Sequence, residues 1–373
     1  MKMDEIRVIQ FIRDLSDGGA ETLVKEYVRL LDKKVFHPYI VTIRNYTNTA
    51  VYKQISELGV EIIPVYSNWN VFIKIFNKIF GKRYIDYKLK RIIAKINPNC
   101  IHAHLYTLDY LYRVADSLKN IKLFYTCHSV PQRYFGPNYP KQTDAAIYLI
   151  KHKGMRMIAL HDEMKMELNK MFEIENVVTI KNGIDITRYR DVNESKNAIR
   201  ASIGISKEAF VVGNVSRFIE LKNHTFLLDI FKEIYKKNIN AHLLLIGDGE
   251  LKEKIVDKIN SLNLKDNVTI LSHRDDVFRL MKAMDVFIFP SKVEGFGIVA
   301  IEAQAAGIRC LMSDTVPAST YISKYAIPIS LECSAEEWAQ IAINSNVFSN
   351  YTNRISEYDL RSEIRKLEKL YLN

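Results

Sequence analysis

The sequence predicts an α/β protein made of two parallel-sheet domains in tandem, and three observations predict it. Short apolar runs, many of them β-branched, recur along the chain. Segments of helical length and period separate them, the pattern of parallel strands joined by right-handed crossovers. The length of 373 residues exceeds what one hydrophobic core usually serves.

In the first half, Ile6–Phe11 is the opening strand, and a glycine turn leads to a helix from near Ala20. Tyr39–Thr42, Glu61–Val65, Cys100–Ala103, Lys122–Thr126, Met157–Leu160 and Val177–Ile180 follow as strands. The polar turn Asn182-Gly183-Ile184-Asp185 then divides the chain into a first domain of 1–184 and a second of 185–353. In the second half Phe210–Val215, Ala241–Ile246, Asn267–Leu271, Val286–Phe289 and Arg309–Ser313 are strands. Helical patterns at 222–237, 250–262, 275–283 and 298–306 separate them. The segment 354–373 carries Leu360, Ile364, Leu367 and Leu370 at helical spacing and is expected to return to the first domain. Two such units are Rossmann-like domains with a cleft between them.

Composition narrows the class. Hydrophobic residues make up 48% of the chain, ordinary for a globular protein. No run of about 18 apolar residues suggests a spanning helix, and the start lacks a signal-peptide layout. Cys100, Cys127, Cys310 and Cys333 are scattered without metal-type pairing, as expected of reduced thiols in a cytoplasmic protein. The net charge of +10 is uneven: residues 1–160 hold 25 basic and 13 acidic side chains. An anionic surface or acceptor near that half follows. The basic amphipathic stretch 72–95 reads equally as a peripheral contact with an anionic membrane or as a surface helix packed on the core. No nucleic-acid recognition motif accompanies the charge.

The chemistry-bearing residues follow strand ends, where parallel sheets bind ligands. Gly18-Gly19 precedes the first helix, where a glycine pair either admits a phosphate or sugar or makes a plain turn. There is no G-x-G-x-x-G and no P-loop. Arg217 and Lys222 follow Phe210–Val215; they are solvated loop cations or a grip for a diphosphate. Gly247-Asp248-Gly249 and Ser272-His273-Arg274 follow the next two strands, so several polar loops share one edge. After Val286–Phe289 comes Glu294-Gly295-Phe296-Gly297-Ile298, a glycine loop opening a helix whose free amides suit a phosphate, with Glu302 one turn in. His102 and His104 alternate along a strand and read as core or cleft histidines more readily than as metal ligands. His128 follows the strand Phe124–Cys127 as a hydrogen-bonding or proton-handling group.

Taken together these motifs resemble the retaining glycosyltransferases of family 4, with the GT-B fold: two Rossmann-like domains whose parallel sheets face a central cleft. The resemblance rests on Gly18-Gly19-Ala20-Glu21, Ile101–His104, Thr126-Cys127-His128, Asn182-Gly183-Ile184-Asp185 and the spacing of Arg217 and Lys222. Further on it rests on Leu245-Ile246-Gly247-Asp248-Gly249, Pro290-Ser291, and Glu294 and Glu302 as the E-x7-E signature. It implies that Arg217 and Lys222 neutralise the diphosphate of a nucleotide-sugar, while Glu294 and the amides of Gly295, Phe296, Gly297 and Ile298 meet sugar and phosphate. Glu302 would hold the ribose, Gly19 (beside Gly18) would approach the phosphate, His128 would contact the sugar, and Gly247 and Arg274 would border the base. It implies transfer of a hexose or N-acetylhexosamine, with no metal cofactor, from a nucleotide-sugar to a saccharide or lipid-linked saccharide. The donor is expected to be a UDP-sugar, the setting cell-surface polysaccharide synthesis, and the place the cytoplasm or the inner face of the cell membrane. A nucleotide-sugar epimerase of the same fold and a non-catalytic nucleotide-sugar-binding partner are the alternatives.

Overall fold

The computed structural model describes residues 5–66, 83–272 and 274–373. It divides into two compact units, Met1–Asn182 with Arg361–Asn373, and Gly183–Leu360. The division falls two residues before the boundary read from the turn, and residues 354–360 stay with the second unit.

The first unit holds a seven-stranded sheet of order β3-β2-β1-β4-β5-β6-β7. Its strands are β1 Ile6–Ile12, β2 Phe36–Thr42, β3 Ile62–Pro64, β4 Cys100–His104, β5 Lys122–Thr126, β6 Arg156–Ala159 and β7 Val178–Thr179. All pair in parallel. β2 begins three residues before its predicted start and contains Pro38. Proline is tolerated there because pairing with β3 starts only at Ile40, so the missing N–H breaks no ladder with β3.

The second unit holds a six-stranded parallel sheet of order β10-β9-β8-β11-β12-β13. The strands are β8 Phe210–Val215, β9 Ala241–Ile246, β10 Val268–Leu271, β11 Val286–Phe289, β12 Arg309–Ser313 and β13 Ala326–Ile329. β13 escapes the sequence reading because Pro328 interrupts a short run; it is an edge strand, paired only with β12. Both faces are buried, so the strands read as continuous apolar runs. Val212, Leu243, Leu245, Val286 and Ile288 join Phe231 and Trp338 on one face. Val211, Leu244, Phe287, Phe289 and Cys310 join Met284 and Ala300 on the other. Neighbouring residues thus feed opposite cores, as strand geometry requires.

The described part of the basic stretch is the helix Arg83–Ile96, which buries Ile85, Leu89, Ile93 and Ile96. Its apolar side faces the core of the first unit, leaving a cationic face of Lys88, Lys90 and Arg91. Residues 72–82 of that stretch lie outside the described residues. Among the described residues no helix is long and apolar enough to cross a membrane. Cys100, Cys127 and Cys310 are buried free thiols, and Cys333 is a half-buried one.

Candidate active site

In the second unit, the loops after β8, β9, β10 and β11 lie along one edge of the parallel sheet. The loop after β8 is tied to the loop after β9. Ser216 N–H donates to the Ile246 carbonyl at 3.1 Å and Phe218 N–H to that of Asp248 at 2.9 Å. Gly247, at φ 151°, sits so close that a Cβ would stand 2.0 Å from the Ser216 carbonyl oxygen. Its glycine is required by loop-on-loop packing, whatever binds nearby. With Phe218 fully buried, Arg217 points outward and is exposed. Among the described residues its guanidinium has no hydrogen-bond or ion-pair partner.

Lys222 ends the single turn Glu220–Lys222. Its ammonium pairs with Glu294 Oε1 and lies 5.1 Å from the Phe289 ring centroid. The two side chains are 18% and 9% exposed. Gly297 caps the helix Ile298–Ala305 at φ 78°, a left-handed conformation suited to glycine, and as the cap it supplies no side-chain hydrogen bond. The Ala300 amide turns back onto the Gly297 carbonyl at 2.9 Å, so the Ile298 and Val299 amides and the positive end of the helix dipole are what an anion would meet. The Phe296 ring is buried and lies 5.9 Å from that of Tyr358, so its side chain belongs to the core. Glu302 accepts a hydrogen bond from Tyr189, whose hydroxyl pKa is raised by burial and by that carboxylate.

Arg274 follows β10 at the same sheet edge. Its guanidinium forks onto Asp276 at 2.7 and 2.8 Å, and Asp276 also meets Arg279 at 3.4 Å. Sequence reading missed His224, buried at the start of the helix His224–Lys237 with Nε2 3.0 Å from Ser216 Oγ. Burial, reinforced by Lys222, pushes its pKa down to about 4. No local motif announces it.

In the first unit, Gly18 caps the helix Gly19–Leu30. The buried Glu21 carboxylate folds against it: a Cβ on Gly18 would lie 2.3 Å from Glu21 Oε2. Glu21 also accepts from Ser16 Oγ at 2.9 Å. Gly19 has open space around it.

β4 and β5 place three histidines together. His102 spans Tyr371 (Nδ1, 2.6 Å) and Thr126 (Nε2, 2.7 Å). His104 spans Gln10 (Nε2, 2.9 Å) and His128 (Nδ1, 2.9 Å). Both nitrogens of each ring are engaged, so neither offers a lone pair to a metal. Burial lowers the pKa of all three, that of His128 to about 3. These imidazoles fold neutral, while in the unfolded chain they gain protons below about pH 6.5. Stability should therefore be full above pH 6.5 and fall progressively as pH drops toward 4. Thermal melts at pH 7.5 and 5 should show a lower Tm at pH 5; an unchanged Tm contradicts neutral burial.

Two Rossmann-like sheets with cations, a glycine loop and paired carboxylates at strand ends are the build of a GT-B glycosyltransferase. The crystal structure of Anabaena HepE in complex with UDP and glucose has this fold, with a TM-score of 0.78, 18% identity, and 98% of this chain and 99% of that one covered. The family model for Glycosyltransferase Family 4 matches residues 17–188, and that for Glycosyl transferases group 1 matches 195–343. The chain belongs to glycosyltransferase family 4 and is a transferase. It is 28% identical over 326 residues to EpsF of Bacillus subtilis (strain 168), covering 85% of this chain and 81% of EpsF. It is 25% identical over 233 residues to the Escherichia coli UDP-Gal:alpha-D-GlcNAc-diphosphoundecaprenol alpha-1,3-galactosyltransferase, covering 61% of this chain and 60% of that enzyme.

Proposed function

We propose that this enzyme moves a hexose or N-acetylhexosamine, with retention of anomeric configuration, from a UDP-sugar to a saccharide or lipid-linked saccharide in cell-surface polysaccharide assembly. The observation that carries the reading is that Arg217, exposed and without a partner among the described residues, follows β8 in the same segment as Lys222, which pairs with Glu294, at the sheet edge where the helix Ile298–Ala305 begins. Two cations and a set of uncapped amides suit a leaving diphosphate. UDP is supported by the galactosyltransferase relative and by UDP in HepE. The diphosphoundecaprenol acceptor of that relative supports a lipid-linked acceptor.

In this mechanism the bond from the anomeric carbon to the diphosphate oxygen breaks, and its electron pair leaves with the diphosphate. Arg217 and Lys222 stabilise that charge, a task a metal ion performs elsewhere. The acceptor hydroxyl adds on the face the diphosphate leaves, and its proton passes to the departing phosphate oxygen. Glu294 and His128 take sugar hydroxyls, and Glu302 the ribose hydroxyls, for which a carboxylate has two acceptor oxygens. Tyr189 shares that carboxylate and holds it in place.

Peripheral binding to an anionic membrane is part of the proposal. The cationic face of the helix Arg83–Ile96 borders a cavity of about 570 Å³ lined by Arg7, Lys90, Arg91 and Lys119.

The test is a thermal-shift panel of nucleoside diphosphates with EDTA present, followed by transfer assays on the ligands that bind. Saturating UDP should raise Tm by roughly 5 °C. No shift with any nucleotide overturns the donor site, and activity that collapses in EDTA overturns metal independence. Vesicle co-sedimentation indifferent to anionic lipid removes the membrane contact.

A further inference from the structure

The seven-stranded sheet has a second polar edge, where its strands begin. β1, β4, β5 and β6 are parallel neighbours, so Arg7, Asn99, Lys122 and Arg156 come together at their starts. Two cavities open there. The one beside the helix Arg83–Ile96, of about 570 Å³, also takes in Asn97 and Asn99. The other, of about 590 Å³, is lined by Lys122, His152, Lys153 and Arg156. Lys119, Asn120 and Ile121 border both, so the two form one groove. It follows the starts of four neighbouring strands, which at ordinary strand spacing is roughly 14 Å.

The charge of this groove is one-sided. Seven Lys and Arg side chains line it, and among the described residues no carboxylate side chain does. Among the described residues none of the seven forms an ion pair. Cations elsewhere on the surface are paired: Arg279 meets Glu194 at 2.6 Å and Lys237 meets Glu336 at 3.1 Å. Here the partners are neutral. Arg7 Nε donates to the Asn97 carbonyl at 2.8 Å, and Lys122 Nζ donates at 2.7 Å to the carbonyl of Leu372, in the C-terminal helix Leu360–Leu372. A helix C-terminus accounts for Lys153, in the last turn of the helix Pro140–Lys153. It does not account for Arg7, Lys122 and Arg156, which stand on strands, or for Lys119, in a turn. Unpaired like charges repel one another and oppose the compact state; an anionic partner relieves that repulsion.

We propose that this groove binds an extended anionic saccharide chain, as an acidic cell-surface polysaccharide would present. A single phosphate would leave most of the seven cations unmet. A flat bilayer meets projecting cations such as Lys88 and leaves a recess unfilled. The groups beside the cations are those that bind sugars. The exposed amides of Asn97 and Asn120 offer donors and acceptors to hydroxyls. The Tyr87 ring, 55% exposed and 5.8 Å from the Arg91 guanidinium, offers an apolar platform to a sugar ring. The choice of a saccharide polymer rests on the polysaccharide setting proposed above, whereas the groove belongs to the first unit alone and depends on neither donor nor transfer.

The test is fluorescence anisotropy of labelled polygalacturonate with the whole chain and no donor. Polygalacturonate should bind, neutral dextran should not, and binding should weaken as salt rises. Lys153→Glu combined with Arg156→Glu should lower the affinity by about tenfold. Lys153→Gln combined with Arg156→Gln should give a smaller loss in the same direction, and serves if the charge reversals disturb β6. A parental circular-dichroism spectrum shows that a variant is folded. Absence of polygalacturonate binding overturns the proposal, as does binding that both folded double variants leave intact. Displacement of the chain by inorganic phosphate at matched ionic strength means a single-anion site and overturns it too. So does capture of phosphatidylglycerol vesicles, lost in both double variants, by a protein that ignores polygalacturonate; the groove is then a membrane contact. Failure of every nucleotide-sugar as donor would sink the donor reading alone, because this assay involves no turnover.

Discussion

Lys222→Ala should lower transfer by about 10²–10³-fold while the protein stays folded, the usual cost of removing one preorganised group from a developing anion. Two consequences of the substitution must be separated. The first is loss of a cation facing the leaving diphosphate. The second is local: the Glu294 side chain is 9% exposed and loses its ion-pair partner, which destabilises the loop by an amount of order 1–3 kcal/mol. The double variant Lys222→Ala with Glu294→Gln distinguishes them, since it relieves the orphaned charge without restoring the cation. Because Glu294 also serves the sugar, the deciding readout is UDP binding: if the diphosphate is what Lys222 serves, the double variant binds UDP as weakly as Lys222→Ala. If the defect comes only from a stranded carboxylate, Glu294→Gln restores UDP binding. Single-turnover transfer and UDP binding for both variants decide the matter, and undiminished transfer by Lys222→Ala removes Lys222 from the mechanism.

The parts of this site that the sequence discloses are those that depend on neighbours along the chain. Gly295 and Gly297 before an apolar helix announce a ligand-facing turn because glycine and helix start are local properties. Parallel strands such as Val286–Phe289 are legible because both faces are buried and polar interruption is absent. β13 is not, because Pro328 on an edge strand breaks the pattern without breaking a ladder. Contacts across the fold are invisible in the same way. Lys222 and Glu294 are 72 residues apart and Gln10 and Tyr371 are 361 apart. No periodicity encodes that they meet; only the strand order brings them together. Arg274 shows the same limit: its position after a strand is legible, but its fork onto Asp276 two residues on is a feature only the structure shows.

The largest expected loss of stability belongs to Asp285→Ala, at the opposite end of the strand that leads to Glu294. Asp285 Oδ2 accepts from Arg200 Nη2 at 2.6 Å and from the Val211 amide at 2.7 Å, while Oδ1 takes Lys196. Arg200 is 4% exposed and also donates to the carbonyls of Ala283 and Lys207, each at 2.9 Å. Alanine would strand a buried guanidinium without its counter-charge and leave the Val211 amide unpaired. Breaking a buried pair from one side costs about 3–5 kcal/mol, and the 26% exposure of the Asp285 side chain favours the lower figure. Asp285→Asn should cost clearly less, because its carbonyl oxygen still accepts from Val211 or Arg200. Urea unfolding of the two variants tests this, and a loss below about 1 kcal/mol for Asp285→Ala would mean that the two carbonyls suffice for Arg200. The comparison with Glu294 explains why two carboxylates flanking one strand differ in role. Asp285 lies at the N-terminal end of β11 and is saturated by protein donors. Glu294 lies beyond the C-terminal end with one cation, and that cation is the one a diphosphate would engage. Folded Asp285→Asn should accordingly bind UDP as the parent does, whereas Lys222→Ala should not.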